Sequence, residues 1–453
     1  MGEQGDEMTK KNRIFAIIFT TVVLCMGVFF SKGPVLYPDS LEYMVQAKYL
    51  PALYPTLLYG LHMLFGDAYL WITVLLQTVL AIGSIIWLTE ILVQLFQVQN
   101  RIIEFFILLM LVGTFFVDNL NLMDGYETCN LWILTEGICY PLFFIFVGLS
   151  IRLLKNCNIH NLLALLMICG LLTLCRQQMM ACFAMAILYI VYLTLFRKIA
   201  KKDIIRTILP TVLTIIVVFG IQQFYQSLDT EKQPFYQQSE LSHLLFFANQ
   251  EDGENLEDLG ERELYLDIFN NIQEQKLSYE DAEKTITGIG NAYLYNFAEI
   301  QKVYYSVLFE YAATQTSDRV EQDALVYEIM TDYIEVLKPH TGQWIKTVLI
   351  QLPIIFSVSI FTYQSSFSTL CMAYSTLMII IYLMLILYRI LRDHAIDSIS
   401  LYAGFILIYI VGTGLASTYA IRSLGRYMFY TCGLFYIAYL LLIIDIYKMV
   451  KRK

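Results

Sequence analysis

Long apolar runs decide what this chain can become. At least nine stretches approach or exceed the roughly 18–20 apolar residues that carry a helix across a ~30 Å hydrocarbon core. Backbone polar groups inside a bilayer find no water and must be satisfied internally, which favours helices. The expectation is therefore an all-α polytopic membrane protein. Composition agrees, with 58% apolar and only 15% charged residues, against about 25% charged in soluble domains. Residues 14–30 follow the basic Lys10, Lys11 and Arg13, and no small-residue cleavage site comes after them, so they read as a first membrane anchor.

The net charge of −9 divides unevenly. Residues 228–340 hold 23 of the 39 acids and 7 of the 30 bases, leaving 16 acids and 23 bases elsewhere. The division predicts a basic membrane body, 1–227 and 344–453, interrupted by an acidic insert over 228–343. This acidity argues against a nucleic-acid partner, because phosphate binding needs clustered Lys and Arg. The nine cysteines lie mostly in apolar stretches without metal-type spacing, and the insert has none. They read as buried thiols.

Lysine and arginine bias sets the expected threading. Spans are expected near 14–31, 68–96, 102–118, 131–151, 161–175, 178–196 and 207–224, then 366–389, 399–418 and 427–447. With residues 344–361 as an interfacial helix, about ten transmembrane helices keep every basic cluster and both termini cytoplasmic, and the insert is extracytoplasmic. If 344–361 crosses, there are eleven. The first outer loop, 32–67, reads as two short amphipathic surface helices joined at Pro51–Pro55, the first starting at Asp39-Ser40, whose side-chain oxygens can accept free N–H groups. The insert carries helical patterning, as in Ala324 to Leu337, and reads as a small helical subdomain.

Ionisable residues gather at the expected outer ends of spans. Asp39, with Glu42 one turn on, is a carboxylate at the headgroup level that burial can turn into a general base; its structural alternative is a helix cap. Asp118, Asp124 and Glu127 in the second outer turn read either as a solvated acidic turn or as partners of Asp39, and the pair Asp39 and Asp124 is the one a divalent cation would use. Arg176, Arg422 and Arg426 can clamp a lipid-linked phosphate through bidentate hydrogen bonds, or snorkel to lipid headgroups. Lys48 and His62 are further candidates for the same pocket. Glu136 enters a span, where an ionisable group needs a partner, and Arg176 is the partner expected.

These residues together resemble the GT-C superfamily of polyprenyl-phosphate-sugar-dependent glycosyltransferases, particularly bacterial members similar to protein mannosyltransferases and aminoarabinose transferases. Tyr37-Pro38-Asp39-Ser40-x-x-Tyr43-x-x-x-Ala47 is similar to the family's first-loop acidic motif. Tyr54-Pro55-x-Leu57-Leu58 with His62 and Gly66 resembles the proline-led segment that follows it. Thr135-Glu136-Gly137, Gly170 to Arg176, and Gly425-Arg426-Tyr427 resemble later steps in the same order. Two positions depart from the pattern: Gln177 stands where a proline often follows the arginine, and Tyr54 where some relatives carry a basic residue. The resemblance implies inverting transfer of a sugar from a polyprenyl-phosphate donor to an acceptor at the extracytoplasmic face. Asp39 would be the base, and arginines or Lys48 would hold the leaving phosphate. A flippase for lipid-linked saccharides, a polysaccharide polymerase or ligase, and a scaffold using the acidic insert are the competing classes. A flippase would favour repeated halves with broken helices, which the sequence does not display.

Overall fold

The structure, a computed structural model, describes Val22 and residues 33–98, 100–116, 129–155, 158–196, 201–228, 235–360, 368–393, 397–420 and 428–451. These residues are helical, and the one piece of β-pairing among them is an isolated parallel bridge between Val35 and Trp132. Six helical stretches are long and apolar enough to cross a membrane: Leu53–Gln94, Glu136–Leu154, Thr207–Ser227, Arg319–Ile360, Thr369–Arg392 and Ser398–Tyr419. Two shorter apolar helices, Ile159–Cys175 and Gln177–Tyr192, accompany them. The chain is thus an α-helical protein built for a bilayer. The first expected span, 14–31, lies outside the described residues apart from Val22.

Two short helices, α1 (Pro38–Met44) and α2 (Leu53–Phe65), lead into the long α3 (Tyr69–Leu95). Next come α4 (Arg101–Phe116), α5 (Glu136–Lys155), α6 (Ile159–Cys175), α7 (Ala181–Phe196) and α8 (Lys201–Ser227). Helix α5 is the centre of the bundle and almost wholly buried, packed chiefly on α3 and α6. Helix α8 is the opposite case: it meets the bundle through α6 and leaves Leu209, Ile216, Val217 and Phe224 exposed. An aqueous protein does not leave such a helix bare; a lipid-facing one does, since acyl chains are as apolar as leucine.

The acidic stretch folds around a core of its own. Helices α9 (Phe235–Leu245), α10 (Leu259–Glu274), α11 (Ile286–Gln315), α12 (Arg319–Leu337) and α13 (Thr341–Ile350) bury Leu241, Tyr265, Ile300, Tyr304, Met330 and Tyr333 together. Their starts are capped by side chains: Asp258 accepts from the Glu261 N–H at 3.0 Å, Thr285 from Gly288 at 2.9 Å, and Asp318 from Val320 at 2.8 Å. Each bond satisfies a donor that the first turn leaves free. The core extends to Trp344 and Val348, a few residues beyond the acidic run.

Residues 344–361 were expected as one helix lying along the membrane surface. They form α13 and α14 (Leu352–Ile360), two helices separated at Gln351, and α14 is buried against α15 (Thr369–Asp393) and α16 (Ser398–Ala420). Helix α14 ends Arg319–Ile360, one of the stretches apolar enough to cross a membrane. Pro353, which has no backbone N–H to donate, stands just past the break, and close packing seats α14. A Cβ added to Gly414 on α16 would stand 2.2 Å from the Ile355 side chain, and one added to Gly290 on α11 2.2 Å from Ile354. Glycines on two neighbours open the space that α14 fills. Helix α17 (Cys432–Lys451) closes the bundle against α4, where a Cβ on Gly433 would lie 2.4 Å from the Met110 carbonyl oxygen.

Candidate functional site

The motif residues Tyr37 to Ser40 sit at the start of α1. Pro38 opens the helix, a position where its missing N–H costs nothing, and the Ser40 hydroxyl accepts the Tyr37 N–H at 2.9 Å. Asp39 lies inside the first turn rather than at the cap, so the capping duty falls to Ser40 and leaves the Asp39 carboxylate half-exposed. Glu42 is exposed on the next turn and hydrogen-bonds Tyr49. Burial, then the hydrogen bond and charge of Glu42, push the Tyr49 phenol well above its ordinary value, with Tyr43 and Asp39 adding to the effect. Asp39, Glu42 and Tyr49 therefore form one polar cluster.

This segment is fastened down in three places. The Tyr37 ring meets Trp132 edge-on, with centroids 5.4 Å apart, and the adjacent backbone pairs through Val35 N–H to Leu131 and Ile133 N–H to Val35. Tyr43 meets Tyr54 edge-on at 5.3 Å. On the far side, the Gln222 amide on α8 accepts from Ala52 and donates to the Leu50 carbonyl, at 3.0 and 3.1 Å. Tyr225 donates to the Gln46 carbonyl, and Lys48 stands 4.4 Å from the centre of the Tyr225 ring, donating to Gln46 Oε1 at 3.2 Å.

Beneath the segment lies an ion pair. Glu136 Oε1 and Arg176 Nη1 are 2.7 Å apart, the Glu136 side chain 1% exposed and that of Arg176 13%. Thr135 donates to the other Glu136 oxygen at 3.2 Å. Glu136 opens α5 and Arg176 ends α6, so the pair joins the same end of two packed helices. Tyr54 is close enough to Glu136, Cys139 and Cys175 to interact with them electrostatically, and its hydroxyl donates to Gln77 Oε1 at 2.9 Å. Gln77 Nε2 donates in turn to the carbonyls of Asn130 and Trp132, both at 2.9 Å, and Asn130 donates to Thr78 at 2.8 Å. Gly137 makes room for this amide: a Cβ there would meet Gln77 Nε2 at 2.4 Å. Tyr430 borders the pair, its ring tilted against Tyr140 at 5.0 Å and within the field of Arg176.

Of the residues singled out by sequence, Asp39, Glu42 and Lys48 share one short segment, and Tyr54 joins that segment to Glu136 and Arg176. His62 lies elsewhere, exposed and edge-on to Tyr69, two turns further along α2. Asp118, Asp124, Glu127, Arg422 and Arg426 lie outside the described residues. Among the described residues no three His, Cys, Asp or Glu side chains group as metal ligands, and the expected pair of Asp39 with Asp124 lies partly outside them. Sequence reasoning passed over Gln77, Tyr54's hydroxyl and Trp132. A glutamine within an apolar helix is the signal that points to the first, since intramembrane polar groups seek partners. Compared with known protein families, curated proteins and solved structures, the chain matches none.

Proposed function

We propose that this chain is a membrane glycosyltransferase that moves a sugar from a polyprenyl-phosphate carrier to an acceptor at the extracytoplasmic face. Asp39 is its general base in this reading. The supporting observation is a juxtaposition: the Asp39 segment, marked by its likeness to the GT-C first-loop motif, is docked through Tyr43 and Tyr54 onto the helix ends that carry Glu136 and Arg176. A half-exposed carboxylate and a partly exposed guanidinium thereby belong to one end of the bundle.

The chemistry needs little beyond positioning and charge. An acceptor hydroxyl attacks the anomeric carbon, its proton passes to the Asp39 carboxylate, and the carbon–oxygen bond to phosphate breaks with inversion. The carrier leaves as polyprenyl phosphate, and the Arg176 guanidinium, oriented by Glu136, stabilises the developing charge. Both termini are cytoplasmic in this reading, and the acidic helical domain stands over the site as a lid or acceptor platform. Purified protein given polyprenyl-phosphate sugar and membrane acceptors tests it. A glycosylated product with release of polyprenyl phosphate is the expected result, whereas a flippase would move the lipid intact and a scaffold would do neither.

A further inference from the structure

Trp132 carries an unused donor. Its side chain is 4% exposed, and the indole Nε1–H is buried with no hydrogen-bond partner among the described residues. Native proteins pair such groups almost without exception, so an orphaned one calls for a ligand, a water or a strain function. The backbone that carries the ring is held on both sides. Its own carbonyl is held by Gln77 at 2.9 Å, its N–H by Cys129 at 3.3 Å, and Leu131 and Ile133 on either side are bridged to Val35. Tyr37 closes on its edge. Trp132 thus stands at the seam between the segment that begins α1, with Asp39 two residues beyond Tyr37, and the segment that begins α5, with Glu136 four residues on.

Resting on the proposed function, we infer that the Trp132 indole N–H is a positioning donor for a phosphoryl oxygen of the lipid-linked sugar, engaged when the Tyr37 side chain swings aside while the Val35 bridge to Leu131 and Ile133 stays in place. An indole N–H donates and never accepts, which suits an oxygen that only accepts. The fixed backbone means that little ordering is left for the ligand to impose, which is how preorganised groups strengthen binding.

Trp132→Phe tests this, because it keeps an aromatic ring against Tyr37 and deletes the N–H. Full-length wild-type and W132F proteins in nanodiscs are titrated with polyprenyl phosphate and, separately, with inorganic phosphate, and their thermal midpoints are measured without ligand. The expected result is about tenfold weaker polyprenyl phosphate binding by W132F, with an unliganded midpoint no lower than wild type, since removing an unpaired buried donor relieves a penalty. The same tenfold loss with inorganic phosphate also supports the inference and places recognition in the phosphate alone. Equal affinities overturn it and assign the N–H to a trapped water, leaving wild-type transfer activity unaffected. A lowered unliganded midpoint overturns it in favour of a packing role. Failure of wild type to bind polyprenyl phosphate overturns it together with the proposed function.

Discussion

Glu136 and Arg176 meet at 2.7 Å where α5 begins and α6 ends, which sets a guanidinium against a carboxylate that is 1% exposed. Removing one partner leaves the other charge buried, which costs about 3–5 kcal/mol; the residual exposure of Arg176 argues for the lower end. Glu136→Gln and Arg176→Met should each lower stability in detergent, and the double variant should lose clearly less than the two combined. A double-mutant cycle by thermal or denaturant unfolding measures this coupling. Additive losses would mean that the pair does not hold the helices.

Gly137 predicts a steric effect on the same network. A methyl group there would stand 2.4 Å from Gln77 Nε2, so Gly137→Ala should displace the amide that links Tyr54 to Asn130 and Trp132. Overpacking of this kind costs about 1–3 kcal/mol. Cysteine-reactivity or hydrogen-exchange measurements around residues 129–135 should show loosening.

The acidic domain is joined to the bundle by a short polar chain. Trp344 donates to the Tyr293 hydroxyl at 2.8 Å, Tyr293 donates to the Thr418 carbonyl at 3.3 Å, and the Trp344 ring stacks on Tyr419 at 4.4 Å. Tyr293→Phe leaves the buried Trp344 N–H unpaired, at a cost of about 1–3 kcal/mol. Limited proteolysis should then cut the 338–343 connection faster than in wild type.

Asp397 supplies a pH prediction. Burial alone would raise its pKa, but the hydrogen bonds from Arg389 and Ser400 outweigh that and hold it below the ordinary carboxylate value. Arg389 also bonds Asp445, so it ties α15, α17 and the start of α16 together. A depressed carboxyl pKa contributes stability that is present above the unfolded-state pKa of about 3.9 and lost as pH falls through the lower folded value. Stability of wild type relative to Asp397→Asn should therefore be constant from pH 8 to 5 and shrink only below about pH 4.

Much of the bundle was legible because apolar runs and their flanks are local. The expected segment 68–96 is α3, Tyr69–Leu95, and 399–418 lies within α16. The Glu136 and Arg176 pairing was legible too, because a carboxylate at membrane depth has few ways to be satisfied. The seat of α14 was not: it depends on Gly290 and Gly414, which make room for Ile354 and Ile355 from 64 and 59 residues away in the chain. The Tyr54–Gln77–Trp132 network was hidden for the same reason, since its bonds join residues 23 and 55 apart. Asp39 was recognisable by its motif, whereas the hydrogen bond that closes the first turn, from Tyr37 N–H to the Ser40 hydroxyl, belongs to its neighbour.

Turnover by Asp39→Asn is the most direct measurement of the central claim. The substitution changes one half-exposed oxygen-bearing group on α1, so the fold should stay within about 0.5 kcal/mol of wild type. With polyprenyl-phosphate sugar and membrane acceptors, the account predicts product and released polyprenyl phosphate from wild type and none from D39N at equal protein levels. Wild-type turnover by D39N would contradict it.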